Sequence, residues 1–280
     1  MGACWITRLG LMLMLAGCGR LGFNDGARPD DPPDGALPPG SDGTPIDPDG
    51  GGPIPPAAAA VYVHSPTDLY QVDPNSFALS HVGAFSGGFN GDTMTDLAVD
   101  RAGAVIGISF TQLYRIDPTT AGCELIAPLP RQFNGLTFME SPNDPNADIL
   151  IGTTIQGEVW EIDQATGATT RIGRYGGGIA SAGDVVSVRG FGTIAAARQQ
   201  SDTTDWIARV DLLTGNAVMI GDTGLADIFG IAYWNGSLYG FTDSGTFVLI
   251  DPTTGAATVQ NTGTIRWWGA GVTTTALAKP

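Results

Sequence analysis

Phe247-Val248-Leu249-Ile250-Asp251-Pro252-Thr253-Thr254-Gly255 decides the fold. The first four residues are apolar and β-favouring, which suits a strand packed inside a sheet. The next five are turn chemistry. Asp accepts backbone N–H groups, Pro presets φ, and Gly takes the left-handed position that closes the turn. The same order of strand, Asp and turn recurs at Leu69-Tyr70-Gln71-Val72-Asp73-Pro74, Leu113-Tyr114-Arg115-Ile116-Asp117-Pro118, Val159-Trp160-Glu161-Ile162-Asp163 and Ile207-Ala208-Arg209-Val210-Asp211. Successive aspartates lie 44, 46, 48 and 40 residues apart, the length of one propeller blade.

Further strands flank each repeat. Ile231-Ala232-Tyr233-Trp234, then Asn235-Gly236, then Ser237-Leu238-Tyr239-Gly240-Phe241 reads as a hairpin, because Asn-Gly between apolar runs favours a two-residue turn. No segment has a helical period. Units of four antiparallel strands begin near Leu97, Leu136, Val185 and Ile231. Before them stand only three strands, at Val61–His64, Leu69–Val72 and Leu79–Val82, and after them one surplus strand is expected over Gly271–Thr275. Three strands and one complete a fifth blade. The predicted fold is therefore all-β, a five-bladed propeller over residues 58–280, closed by pairing of its N- and C-terminal strands, which removes free sheet edges.

The Leu-Tyr-x-Ile-Asp-Pro-x-Thr-Gly repeats resemble those of bacterial propeller proteins of the NHL and YVTN types. That resemblance implies the architecture. It says little of function, because the repeated residues build turns and such folds host binders, scaffolds and hydrolases alike.

Outside the repeats the composition changes sharply. Arg8, the apolar run Leu9–Ala16 and the sequence Leu15-Ala16-Gly17-Cys18 resemble a bacterial lipoprotein signal, with residues 1–17 removed and Cys18 lipidated. The run is too short to span a bilayer. By the same resemblance, Gly19 in place of Asp favours the outer membrane. Met1-Gly2-Ala3-Cys4 is a poor myristoylation start, since Ile6 stands where Ser or Thr is needed. Residues 19–57 are about half Gly and Pro, with Asp prominent, and bury too little apolar surface to fold. Such a tether reaches roughly 35 Å as a coil and up to ~120 Å if extended. Asp47-Pro48-Asp49-Gly50 lacks the later ligands of a calcium loop and is read as linker.

The net charge is −15, with Lys279 the only lysine, so a phosphate backbone is repelled and nucleic acid is excluded as a partner. The expected partners are the membrane, through the lipid on Cys18, and a protein or glycan ligand; the domain is expected to be monomeric. Of the three cysteines Cys4 leaves with the signal and Cys18 carries lipid, so Cys123 has no intrachain partner.

No catalytic motif is present. There is no Gly-x-Ser-x-Gly elbow, only two histidines (His64, His81), and Tyr175-Gly176-Gly177-Gly178 lacks the Lys-Ser/Thr of a phosphate loop. No catalytic residue, cofactor or metal is expected. The repeated aspartates read as turn caps. A propeller gathers the loops before its innermost strands around its axis, and those loops carry the candidate ligand-binding residues Asn90, Asp96, Arg131, Asn134, Asp184, Asp227, Arg266, Trp267 and Trp268, with Asp92 beside Asn90. Rings beside amides suit a glycan, and Trp267-Trp268 suits core packing as well. Asp96, Asp184 and Glu140 are the only carboxyls placed for glycoside hydrolysis. The expected function is a non-catalytic binding or interaction scaffold, with a lectin-like propeller and, behind it, a glycoside hydrolase as alternatives.

Overall fold

The computed structural model describes residues 61–276. The signal segment, Cys18 and the tether lie outside the described residues, as do residues 58–60 of the expected domain. Blade I holds β1 (Val61–His64), β2 (Asp68–Val72) and β3 (Leu79–Ala84), followed by a short β4 (Ser86–Gly87). Blade II holds β5 (Met94–Val99), β6 (Val105–Ser109), β7 (Gln112–Ile116) and β8 (Gly122–Pro128). Blade III holds β9 (Gly135–Ser141), β10 (Asp144–Thr153), β11 (Glu158–Ile162) and β12 (Thr169–Arg174). Blade IV holds β13 (Ala180–Val188), β14 (Gly192–Arg198), β15 (Asp205–Val210) and β16 (Ala217–Leu225). Blade V holds β17 (Ile228–Trp234), β18 (Ser237–Thr242), β19 (Thr246–Ile250) and β20 (Ala257–Thr262), and β21 (Gly269–Gly271) returns to blade I.

Five antiparallel sheets result, and the first has the order β21-β1-β2-β3. The ring is thus closed by N- and C-terminal strands, as the strand count predicts, with Val63 opposite Ala270 and His64 opposite Gly269. The closing strand differs in position. It is Gly269–Gly271, and the expected strand Gly271–Thr275 leaves the sheet after its first residue. Residues 272–276 turn under the ring instead and are buried. Thr273 Oγ1 donates to the Asp100 carbonyl (2.8 Å), Thr274 Oγ1 to Asp148 (2.7 Å), and Arg189 N–H to the Thr274 carbonyl (2.8 Å). These partners belong to blades II, III and IV, so the segment crosses the axis. Tertiary partners decide this, because a strand and a threonine-rich plug have the same local composition. A second departure is β4, which adds a parallel strand outside β8.

The repeated turn is built as its chemistry requires. Asp251 Oδ1 accepts from Thr253 N–H (2.7 Å), and Gly255, at φ +80°, donates to the Asp251 carbonyl (2.9 Å). Asp73, Asp117, Asp163 and Asp211 accept equivalent bonds. Hydrogen bonding to these exposed turns lowers the carboxyls of Asp73, Asp117, Asp163 and Asp251, which are acceptors and not a ring of acids. Asn235-Gly236 forms the expected tight hairpin, with both residues at positive φ.

The core lies between blades. One cluster joins Tyr62 and Leu69 of blade I to Leu97 and Ile116 of blade II, another joins Ile108 to Phe133 and Phe138, and a third joins Ile151 and Val159 to Val185 and Ala208. The largest runs from Val186 of blade IV through Tyr239 and Phe241 to Val61 and Ala270. Each blade therefore has two buried faces, which explains why inner strands such as Met94–Val99 are buried along their whole length.

Candidate functional site

Along the axis the structure separates into three levels. The turns between the second and third strands of each blade, with the crossovers between blades, make an upper face. The Asp-Pro turns, both described chain ends and the 272–276 segment lie on the lower face.

The middle level is held by two carboxyls. Asp96 precedes Leu97 on the inner strand of blade II, and Asp184 precedes Val185 on that of blade IV. Asp96 accepts the backbone N–H groups of Leu97 (2.8 Å) and Leu136 (2.5 Å). Asp184 accepts those of Val185 (2.6 Å), Ile231 (2.8 Å) and Ala270 (3.2 Å). Every blade thus gives one inner-strand N–H to the pair. The equivalent position in the other blades is Gly135, Gly230 or Gly269. A Cβ at Gly230 would lie 2.8 Å from the Gly269 backbone, and one at Gly269 would collide with Asp96 and His64. Both carboxyls have no exposed surface. Burial first, and then the neighbouring acid, raise Asp96 well above the carboxylate range, and burial raises Asp184 as well. Both carboxyls are raised and each is perturbed by the other, so one of the two is held protonated and the pair carries at most one negative charge. His64, also fully buried, is lowered to about 4 by desolvation; its neutral ring places Nδ1–H on the Ser65 carbonyl (2.8 Å).

Above this pair the upper face opens into a cup of about 450 Å³. All five blades contribute to it or to its rim. Phe110, Ile155, Phe229 and Trp268 make most of the wall, and Thr95, Asn134, Ser181, Arg198 and Asp227 the rest. Phe110 and Ile155 are 42% and 62% exposed and line the same opening, so together they form an apolar patch there. Trp268 is rigidly mounted. Its Nε1–H donates to Asp243 (2.9 Å), which Arg266 clamps with two bonds of 2.9 and 2.7 Å. Across the cup, Arg198 is fixed by buried Asp205 (3.2 Å) and lies 3.8 Å from Asp227. Burial lifts Asp205 to about 6, opposed by the Ile228 N–H and by Arg198.

Of the candidate residues the structure brings Asn134, Asp227 and Trp268 to the cup. Asp96 and Asp184 lie sealed beneath its floor. Arg266 acts on Trp268 through Asp243. Trp267 is buried against Tyr70 and Phe241. Arg131 lies over the Trp160 ring, 3.4 Å from its centre, and Asn90 sits in a turn at φ +51° beside Asp92; neither lines the cup. Glu140 pairs with Arg189 at 2.5 Å, far along the strand from the pair it was grouped with. Sequence reasoning missed Phe110, Ile155, Phe229 and Arg198. A signal for two of them exists. Ser109 and Thr154 cap the turns between second and third strands, accepting N–H groups of Gln112 (3.0 Å) and Glu158 (3.2 Å). The residue after each cap, Phe110 or Ile155, is apolar where a turn ordinarily presents a polar side chain. Among the described residues no three His, Cys, Asp or Glu side chains are placed to hold a metal ion.

No family model and no curated protein matches the chain. Among solved structures, a chain in the crystal structure of a nidogen/laminin complex matches with a TM-score of 0.53 and 9% identity, over 76% of this chain and 97% of that one. A protein of unknown function from Bacteroides caccae matches at 0.41 with 10% identity, over 72% of each chain. A computationally designed protein, Ika8, matches at 0.35 with 12% identity, over 75% of this chain and 61% of that one. The first likeness supports the propeller fold, and the other two are too distant to bear on it.

Proposed function

We propose that the protein is an exported, lipid-tethered, non-catalytic binding propeller whose upper cup captures a compact ligand with a broad apolar face. The observation that carries this reading is the cup itself. Exposed Phe110 and Ile155 and a clamped indole surround a blind opening, in a volume usual for small-molecule sites. Non-catalytic binding is favoured because the two axial acids are spent on backbone N–H groups and have no exposed surface. The NHL/YVTN-like repeat and the Leu15–Cys18 motif support an exported propeller anchored by Cys18, in the outer membrane by the Gly19 criterion.

Ligand-observed NMR with a library of small ring compounds tests the cup. Hits lost in Ala180→Trp, which places an indole in the opening, support it; an absence of hits, or hits unaffected by that variant, refutes it. Acylated Cys18 as the first residue, found by mass spectrometry, supports the anchor. Unmodified protein starting elsewhere refutes it. A glycan ligand is the second reading, favoured by the Trp268 ring facing the same cup as Asn134 and Asp227. Glycan-array binding abolished in folded Trp268→Ala is its test.

A further inference from the structure

The polar side of the cup carries information about the ligand's charge. Several of its groups are already satisfied. Ser181 Oγ–H donates to the Gly183 carbonyl (2.8 Å) and accepts from Asn134 Nδ2 (3.1 Å), while Thr95 Oγ1 donates to the Ile108 carbonyl (3.1 Å). This order also orients the Asn134 amide, leaving Oδ1 as an acceptor without a partner.

What stands at the opening is a pair. The Arg198 side chain is 37% exposed and that of Asp227 53%, with Arg198 Nη2 3.8 Å from Asp227 Oδ1 and 3.2 Å from Asp205 Oδ1. Guanidinium donors and carboxylate acceptors are therefore presented side by side. A hydroxyl or amide, which both donates and accepts, can use the two together. A carboxylate would use Arg198 but meet Asp227 and Asp205, two anions against one cation. An ammonium is attracted by the same two carboxylates but meets Arg198 and loses its hydration against Phe110, Phe229 and Trp268, so it is disfavoured less than a carboxylate and still against a neutral group. The rings accept the flat face of a ligand's apolar part.

We infer that the cup selects neutral ligands with an apolar ring or chain that ends in a hydroxyl or amide, the chemistry shared by alcohols, phenols and glycosides, and discriminates against carboxylates. This rests on the proposed binding role and adds the ligand class. The test uses three probes that share one ring: benzyl alcohol, benzylammonium and benzoate, titrated against the full chain by saturation-transfer NMR. The alcohol is expected to bind with a Kd on the order of 1 mM, about tenfold tighter than benzoate and about threefold tighter than the ammonium. Asp227→Ala is expected to remove at least half of the preference for the alcohol over benzoate on a logarithmic scale, and Ala180→Trp to abolish binding. Benzoate or benzylammonium binding as tightly as the alcohol overturns the ligand class and leaves the cup in place. No probe binding, or full binding to Ala180→Trp, overturns the cup and the class together.

Discussion

The two ends of the propeller axis are treated in opposite ways. At the lower end residues 272–276 cross from blade I to blade IV, and threonine hydroxyls and ion pairs close the opening. At the upper end Phe110, Ile155 and Trp268 stand around a cup into which none of the described residues inserts. Between them the Asp96–Asp184 pair ties all five inner strands. The closure of the ring is thus carried by the middle and lower levels. Side chains of the upper level are free of that duty, which is the condition for a site that varies without loss of fold.

The largest effect is expected at the lower end. Truncation after Trp268 removes β21 and the plug together, exposes the β1 edge, and should abolish cooperative folding at 37 °C. An unchanged thermal melt would show that blade I closes without its C-terminal strand. Next comes the middle level. Asp184→Ala leaves the N–H groups of Val185, Ile231 and Ala270 buried without partners, at about 1–3 kcal/mol each for unsatisfied groups. A denaturation midpoint within error of wild type would remove the pair from the account of closure.

The same pair sets a pH dependence. Asp96 and Asp184 are raised in the folded state, so their contribution is complete below the unfolded value and is lost as pH rises through the folded one. His64 works the other way, but it is lowered to about 4, so its contribution is complete above about 6.5, and Asp205, raised to about 6, has largely titrated there. Between pH 6.5 and 8 stability should fall by up to about 1.4 kcal/mol per pH unit for one proton. Asp96→Asn should flatten this slope in urea titrations at each pH, and a wild-type curve that rises over the window contradicts the shared proton. The smallest effect belongs to the cup. Ile155→Ser alters an exposed turn residue and should shift stability by less than about 0.5 kcal/mol. A large loss would mean that the upper level is structural after all.

Much of the ring was legible from local chemistry. Asp251-Pro252-Thr253-Thr254-Gly255 and its relatives specify their turns within five residues, and the strand count implied closure. The cup was read only in part. Asn134, Asp227 and Trp268 follow from their position before inner strands, whereas Phe110, Ile155 and Arg198 come from turns and strand ends that this reasoning does not reach. Asp96 and Asp184 were singled out as acids, but nothing near them in the chain reveals that Leu136, Ile231 and Ala270 would spend their N–H groups on them.

By itself the sequence determined the blade repeat, the turns and the number of blades, because these depend on residues within one turn or hairpin of each other. Tertiary structure alone decided that residues 272–276 become a plug, that two acids fasten the five blades, and which end of the axis stays open. Each of those outcomes depends on groups separated by 40 to 173 residues in the chain. Those groups come together only once the ring has closed, so no local pattern encodes their meeting.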